Sequence, residues 1–181
     1  MDLTEKTINS KEIFKGKIIN VVVDKVILPN GNESLREVVS HPGGVCLAPL
    51  TKENELIFVE QFRYPYKERV LELPAGKLEM GQSPLENGKR ELKEEIGAYA
   101  DNYTYLGKLY PSPGYCGEVI HIFFCKVKEL GETCPDEDEF LEIKKIPIER
   151  AVNMVLNNEI FDSKSQVAIL KTYELLKRGI I

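Results

Sequence analysis

Apolar and polar positions alternate along the first part of the chain, and the period lengthens further on. Residues 17–28 (KIINVVVDKVIL) are β-branched and mostly alternating, as a half-buried strand requires. Pro29-Asn30-Gly31-Asn32 is a turn signal, and 35–40 (LREVVS) read as the returning strand. The first 40 residues therefore read as an N-terminal antiparallel β segment. After the break at His41-Pro42-Gly43-Gly44, residues 45–50 and 56–62 read as strands around a polar turn (TKENE). A short strand at 70–73 ends at Pro74, and further strands fall near 103–109, 119–127 and 140–146.

Helical spacing takes over at three places. Ser83, Pro84 and Glu86 form a Ser-x-x-Glu capping box with proline in the first turn, and Gly97 is the stop. Leu85, Gly88, Leu92 and Ile96 then share one stripe. Pro147 suits a first helical position, followed by a stripe of Ile148, Ala151, Val152, Val155 and Leu156. Ser163 begins a capping-box pattern with Gln166, and Gly179 is the stop. Mixed strands with interspersed helices predict an α/β fold, a mixed sheet covered on both faces. The expected organisation is 1–40 as a small β segment and 41–181 as the main domain.

Composition narrows the function classes. The 181 residues suit one domain, or one with a small appendage. With 43% hydrophobic and 29% charged residues the chain is ordinary for a globular protein, and its net charge of −5 argues against a nucleic-acid partner. The longest charge-free stretch, 38–51, contains Pro42 and Pro49 and falls short of the ~20 apolar residues of a membrane span. No basic, then apolar, leader opens the chain, so a cytoplasmic location is expected. Cys46, Cys116, Cys125 and Cys134 form no close pair, which predicts reduced thiols rather than disulfides or a zinc site. His41 and His121 read as structural.

One segment carries chemistry. Glu91, Glu94 and Glu95 fall at i, i+3 and i+4 of the first helix, so three carboxylates meet on one face, and Lys89 and Lys93 supply only part of the relief. Alone, the triplet also fits a solvated acidic face. A divalent cation among the oxygens is the functional alternative, because Mg²⁺ takes carboxylates, water and substrate phosphate together. The flanks favour that alternative. Gly76, five residues, Gln82, seven residues, then Arg90-Glu91-Leu92-Lys93-Glu94-Glu95-Ile96-Gly97-Ala98 resembles the Nudix box. It departs twice: Gln82 stands at the first glutamate of the box, and the last aliphatic position is only Ala98. Gln82 is expected to weaken the metal site rather than abolish it. Gly88 is expected to let the loop approach the helix closely.

The resemblance runs from about 18 to about 176 and points to the ADP-ribose pyrophosphatase branch. Its marks are Gln61-Phe62-Arg63-Tyr64-Pro65, Leu71-Glu72-Leu73-Pro74-Ala75-Gly76-Lys77, and Tyr110-Pro111-Ser112-Pro113-Gly114, with Pro113 lying 15 residues beyond Ala98. It implies hydrolysis of ADP-ribose or a related nucleoside diphosphate sugar to AMP and ribose 5-phosphate, with Mg²⁺ or Mn²⁺. It also implies a homodimer formed through the N-terminal segment. The implied metal ligands are Glu91, Glu95 and the Ala75 carbonyl, with Glu94 as an additional carboxylate and Arg90 orienting the glutamates. In the acidic run 136–139, which by itself reads as an exposed loop, Glu137 is the candidate base and Glu139 a further ligand, or the reverse. Arg63 and then Arg36 are the candidate contacts to phosphate or ribose, and Glu118 is a candidate site-lining residue. Phe14, Ile18 and Ile19 are candidate adenine contacts. The rival readings are another nucleoside diphosphate substrate, and a sensor that binds ADP-ribose without cleaving it.

Overall fold

A computed structural model describes residues 1–136 and 139–181. They divide into two units, 1–43 with 110–119, and 44–109 with 120–181. In the first unit, strands β1 (Lys6–Lys15), β2 (Asn20–Ile27) and β3 (Glu33–Ser40) form an antiparallel sheet in that order. The expected hairpin is the β2–β3 pair, in register from Asn20 opposite Ser40 to Ile27 opposite Glu33. Its turn closes as the Leu28 N–H donates to Asn32 O at 2.8 Å and the Gly31 N–H donates to Leu28 O at 2.9 Å. β1 did not stand out in the alternation, because all ten of its residues are exposed and two register shifts interrupt its pairing with β2. The segment 110–119 joins this unit through backbone bonds. The Val39 N–H donates to Tyr115 O at 2.8 Å, and the Gly117 N–H donates to Val39 O at 2.9 Å.

The second unit is the α/β part. In chain order it holds β4 (Gly44–Leu50), β5 (Glu55–Arg63), β6 (Glu68–Glu72), β7 (Ala75–Lys77), α1 (Pro84–Ile96), β8 (Ala98–Leu109), β9 (Ile120–Leu130), β10 (Glu142–Pro147), α2 (Ile148–Leu156) and α3 (Ser163–Lys177). Among the described residues these strands make one seven-stranded mixed sheet, ordered β10-β5-β4-β9-β8, with β6 on β5 and β7 on β4. β4 and β9 run parallel. β4 is buried throughout, and its alternation feeds two cores. Val45 and Leu47 pack with Leu92 and Ile96 of α1, while Cys46, Ala48 and Leu50 pack with Ala151 of α2 and Ile169 of α3. Each fully buried side chain such as Leu47 or Phe58 contributes about 1.5–3 kcal/mol by leaving water. The sheet is thus covered on both faces, as the sequence predicts.

Some boundaries differ from expectation. α3 is capped by Asp162, whose carboxylate accepts the Ser165 N–H, while Ser163 is the first helical residue. Pro147 caps α2 rather than opening it. β8 begins directly after α1, and β7 is too short to show a period. Among the described residues no helix is long and apolar enough to cross a membrane. All four cysteines are free, with Cys46 and Cys125 buried.

Candidate active site

The centre of the site is α1 and the loop that faces it. The helix starts where the sequence predicts. The Ser83 hydroxyl accepts the Glu86 N–H at 3.3 Å, the Glu86 carboxylate accepts the Ser83 N–H at 3.4 Å, and the helix ends at Gly97 in the left-handed region. Asn87, fully buried, accepts the Glu79 N–H and donates to Ser83 O, both at 3.0 Å, and so ties the preceding loop to the helix. A Cβ at Gly88 would lie 3.0 Å from Leu47 Cδ1. The glycine therefore admits β4, not the loop as expected.

The loop is held from two sides. Ala75 pairs with Cys46 of β4, and the Leu47 N–H donates to Pro74 O at 3.0 Å. On the other side the Ala75 N–H donates to Glu95 Oε2 at 3.2 Å. A Cβ at Gly76 would lie 2.0 Å from the Glu91 carboxylate, so only glycine leaves room for that group.

Glu91 and Glu95 are not on a solvated face. They are 7% and 3% exposed. Burial raises the Glu95 carboxyl well above its usual range, and the Glu91 and Glu139 charges push the same way. Burial also raises Glu91, with Arg90 opposing and Glu94 and Glu139 adding to the rise. Arg90 donates to Glu91 Oε1 at 2.6 Å and to Glu94 Oε2 at 2.5 Å, and lies 3.3 Å from Glu79. Lys89 and Lys93 pair with none of these carboxylates, and so do not supply the relief expected of them through ion pairs. Their ammonium groups lie 5.3 Å from the Tyr103 ring and 5.8 Å from the Tyr99 ring.

Among the described residues no three acidic, histidine or cysteine side chains enclose an ion by themselves. The donor set nevertheless fits a hard divalent cation completed by water and substrate. Two buried carboxylates and the loop that carries the Ala75 carbonyl converge, and a third carboxylate, Glu139, is close enough to raise both. Glu137 lies outside the described residues. Gln82 is exposed and donates to Glu79 Oε2 at 2.7 Å.

Arg63, at the end of β5, is half-buried and lies against Glu72 of β6, with Nε at 2.8 Å and Nη2 at 2.6 Å from Oε2. The structure adds residues that the sequence did not single out. Lys164 reaches the other oxygen of Glu72 at 3.0 Å, and the Ser165 hydroxyl accepts the Leu73 N–H at 2.7 Å. Arg36 and Glu118 both belong to the other unit. There Arg36 pairs with Glu5 at 2.5 Å, and Glu118 lies 3.3 Å from His41 Nδ1. His121 lies 3.1 Å from the Tyr105 hydroxyl. Phe14, Ile18 and Ile19 are exposed residues of the first unit.

A capped helix carrying buried glutamates against a glycine loop, beside a mixed sheet, is an arrangement able to receive a divalent cation. The NUDIX domain matches residues 40–166, and the nucleoside diphosphate sugar hydrolase N-terminal domain matches 5–39. The chain belongs to the Nudix family and is a Nudix pyrophosphatase; this family in general uses divalent metals. It is 42% identical over 171 residues to an ADP-ribose pyrophosphatase of Bacillus subtilis (strain 168), covering 92% of this chain and 91% of that one. It is also 39% identical over 177 residues to a methanol dehydrogenase activator of Bacillus methanolicus, covering 96% of each. A crystal structure of an ADP compounds hydrolase superposes with a TM-score of 0.86 over the whole of both chains at 21% identity, which shows the fold.

Proposed function

We propose that this protein hydrolyses the diphosphate of ADP-ribose or a related ADP-sugar, with Mg²⁺ or Mn²⁺, to AMP and the sugar phosphate (ribose 5-phosphate from ADP-ribose). The observation that carries this reading is the burial of Glu91 and Glu95 against the glycine loop, with both carboxyls still raised despite Arg90 beside Glu91 and Lys164 near Glu95. Glu91, Glu95, Glu139 and the Ala75 carbonyl are the proposed ligands. The cation, when bound, supplies charge neutralisation at the phosphates and lowers the pKa of a water. Arg90 and Glu94 keep Glu91 in place through the bonds described above. Arg63 contacts a phosphate with the part of its guanidinium not turned to Glu72.

In the reaction the water oxygen forms a bond to one phosphorus, and the bond from that phosphorus to the bridging oxygen breaks. Glu137 is the proposed acceptor of the water proton, and the bridging oxygen leaves with the other phosphate. Arg36 and Glu118 are proposed as substrate contacts on the family resemblance alone. The exposed apolar residues Ile8, Ile13, Phe14 and Leu35 of the N-terminal sheet support a homodimer, and the reading places it in the cytoplasm.

A wider substrate range is the second reading, favoured by the N-terminal match to nucleoside diphosphate sugar hydrolases generally. A panel of ADP-ribose, other ADP-sugars and GDP- or UDP-sugars, assayed in Mg²⁺ and in Mn²⁺ with identification of the products, tests both. AMP from ADP-ribose at the highest kcat/KM supports the first reading. Tight binding of ADP-ribose with no AMP released in either metal would replace it with a sensor.

A further inference from the structure

The beginning of α3 makes contacts that a cap alone does not need. Asp162, Lys164 and Ser165 form a tight knot. Lys164 Nζ donates to Asp162 Oδ1 at 2.9 Å, and the Ser165 N–H donates to Asp162 Oδ2 at 2.9 Å. From that knot two arms reach the loop region some ninety residues earlier in the chain. One is Lys164 to Glu72 Oε1, and the other is Ser165 to the Leu73 N–H. Glu72 divides its oxygens, with Lys164 on Oε1 and Arg63 on Oε2. Lys164 and Glu72 are largely shielded, with side chains 11% and 6% exposed, and the line reaches solvent at Arg63, 37% exposed.

Stability is a poor reason for such a chain. Apolar replacements of a buried ion pair often match or exceed its stability, because each buried charge loses its hydration. The geometry has a more specific consequence. Arg63 spends Nε and Nη2 on Glu72, so its plane is fixed, and Nη1 has no partner among the described residues. A guanidinium held by one edge and free at the other is prepared for an anionic oxygen. Lys164 is what prevents Glu72 from turning away, since it holds the oxygen that Arg63 does not use.

We propose that Lys164 is a positioning residue for substrate, acting through Glu72 on Arg63. Ser165 does the corresponding work for the loop that carries Ala75. The proposal rests on the hydrolase reading above, and kinetics with ADP-ribose in saturating Mg²⁺ separate the two. Lys164→Met should raise KM roughly tenfold, the scale on which supporting partners act, with kcat at saturating Mg²⁺ little changed. In an Arg63→Ala background the same substitution should add nothing further, because its route to the substrate is already cut.

Unchanged KM in Lys164→Met, or an equal further rise in the Arg63→Ala background, overturns the positioning role. Lys164→Met leaves a buried carboxylate with one cation fewer, so the double variant Glu72→Gln/Lys164→Met guards against misfolding. It should recover the wild-type melting temperature yet keep the raised KM, since Arg63 has lost its charged anchor. Recovery of wild-type KM in that variant overturns the proposal. A wild-type protein that hydrolyses no nucleoside diphosphate sugar overturns the hydrolase reading, and this inference with it. Normal wild-type turnover with no KM effect overturns the inference alone.

Discussion

Two groups of buried or partly buried carboxylates lie in the α/β unit, and they are balanced differently. Behind the loop, Glu72 and Asp162 are met by Lys164 and Arg63 at 3.0 Å or less. Burial alone would lower the Lys164 pKa, but Asp162 and Glu72 outweigh it and hold it above its usual value. In front of the loop, Arg90 pairs with Glu91 but is also engaged by Glu94 and Glu79, Lys164 and the Ala75 N–H only partly offset the burial of Glu95, and both carboxyls are raised. The first cluster is matched by internal cations and the second is only partly matched, an imbalance that the proposed divalent cation would relieve. The asymmetry points to a metal site more strongly than an acidic helix face would.

The comparison breaks most sharply at Glu95. Glu95→Gln should lower kcat by roughly three orders of magnitude, the scale of losing a principal contact to developing charge, while the melting temperature of the metal-free protein does not fall. Turnover assays and thermal unfolding on the same sample check both halves. Gly76→Ala should come next. The new Cβ displaces the Glu91 carboxylate, costs about 1–3 kcal/mol of stability, and raises the Mg²⁺ concentration needed for half-maximal activity.

A third, smaller effect is on pH dependence. Burial holds the Glu95 carboxyl well above its usual value of 4.5, so its protonated form favours folding. That stability is present below the unfolded pKa and is lost as pH rises through the folded one. The melting temperature of metal-free protein should therefore drop as pH rises above about 4.5, and Glu95→Gln should flatten the drop. Added Mg²⁺ should cancel it and release protons. The smallest effect is expected from Gln82→Glu, which restores a charge at an exposed position. It should lower the half-activating Mg²⁺ concentration by about two- to threefold, through the added ligand charge.

What the sequence revealed follows from the range of the forces involved. α1 was legible to the residue, because Ser83, Pro84, Glu86 and Gly97 act within one turn of the helix ends. The two-faced sheet was legible because helical patterns are interspersed among the strands along the chain. The glutamates were legible as a pattern, but their burial was not, since it depends on Gly76 meeting Glu91 across the loop. Lys89 and Lys93 looked like counterions because spacing along a helix says nothing of the tyrosines on β8. The line from Asp162 through Lys164 to Glu72 was invisible, since residues so far apart share no local signal.

The most direct measurement is Mn²⁺ binding followed by electron paramagnetic resonance, on wild type and on Glu95→Gln, with folding verified in each. If the buried glutamates are short of charge because they hold a divalent cation, wild type binds Mn²⁺ and Glu95→Gln does so at least about tenfold more weakly. Equal binding by the two proteins would contradict the account, and would place the cation away from α1.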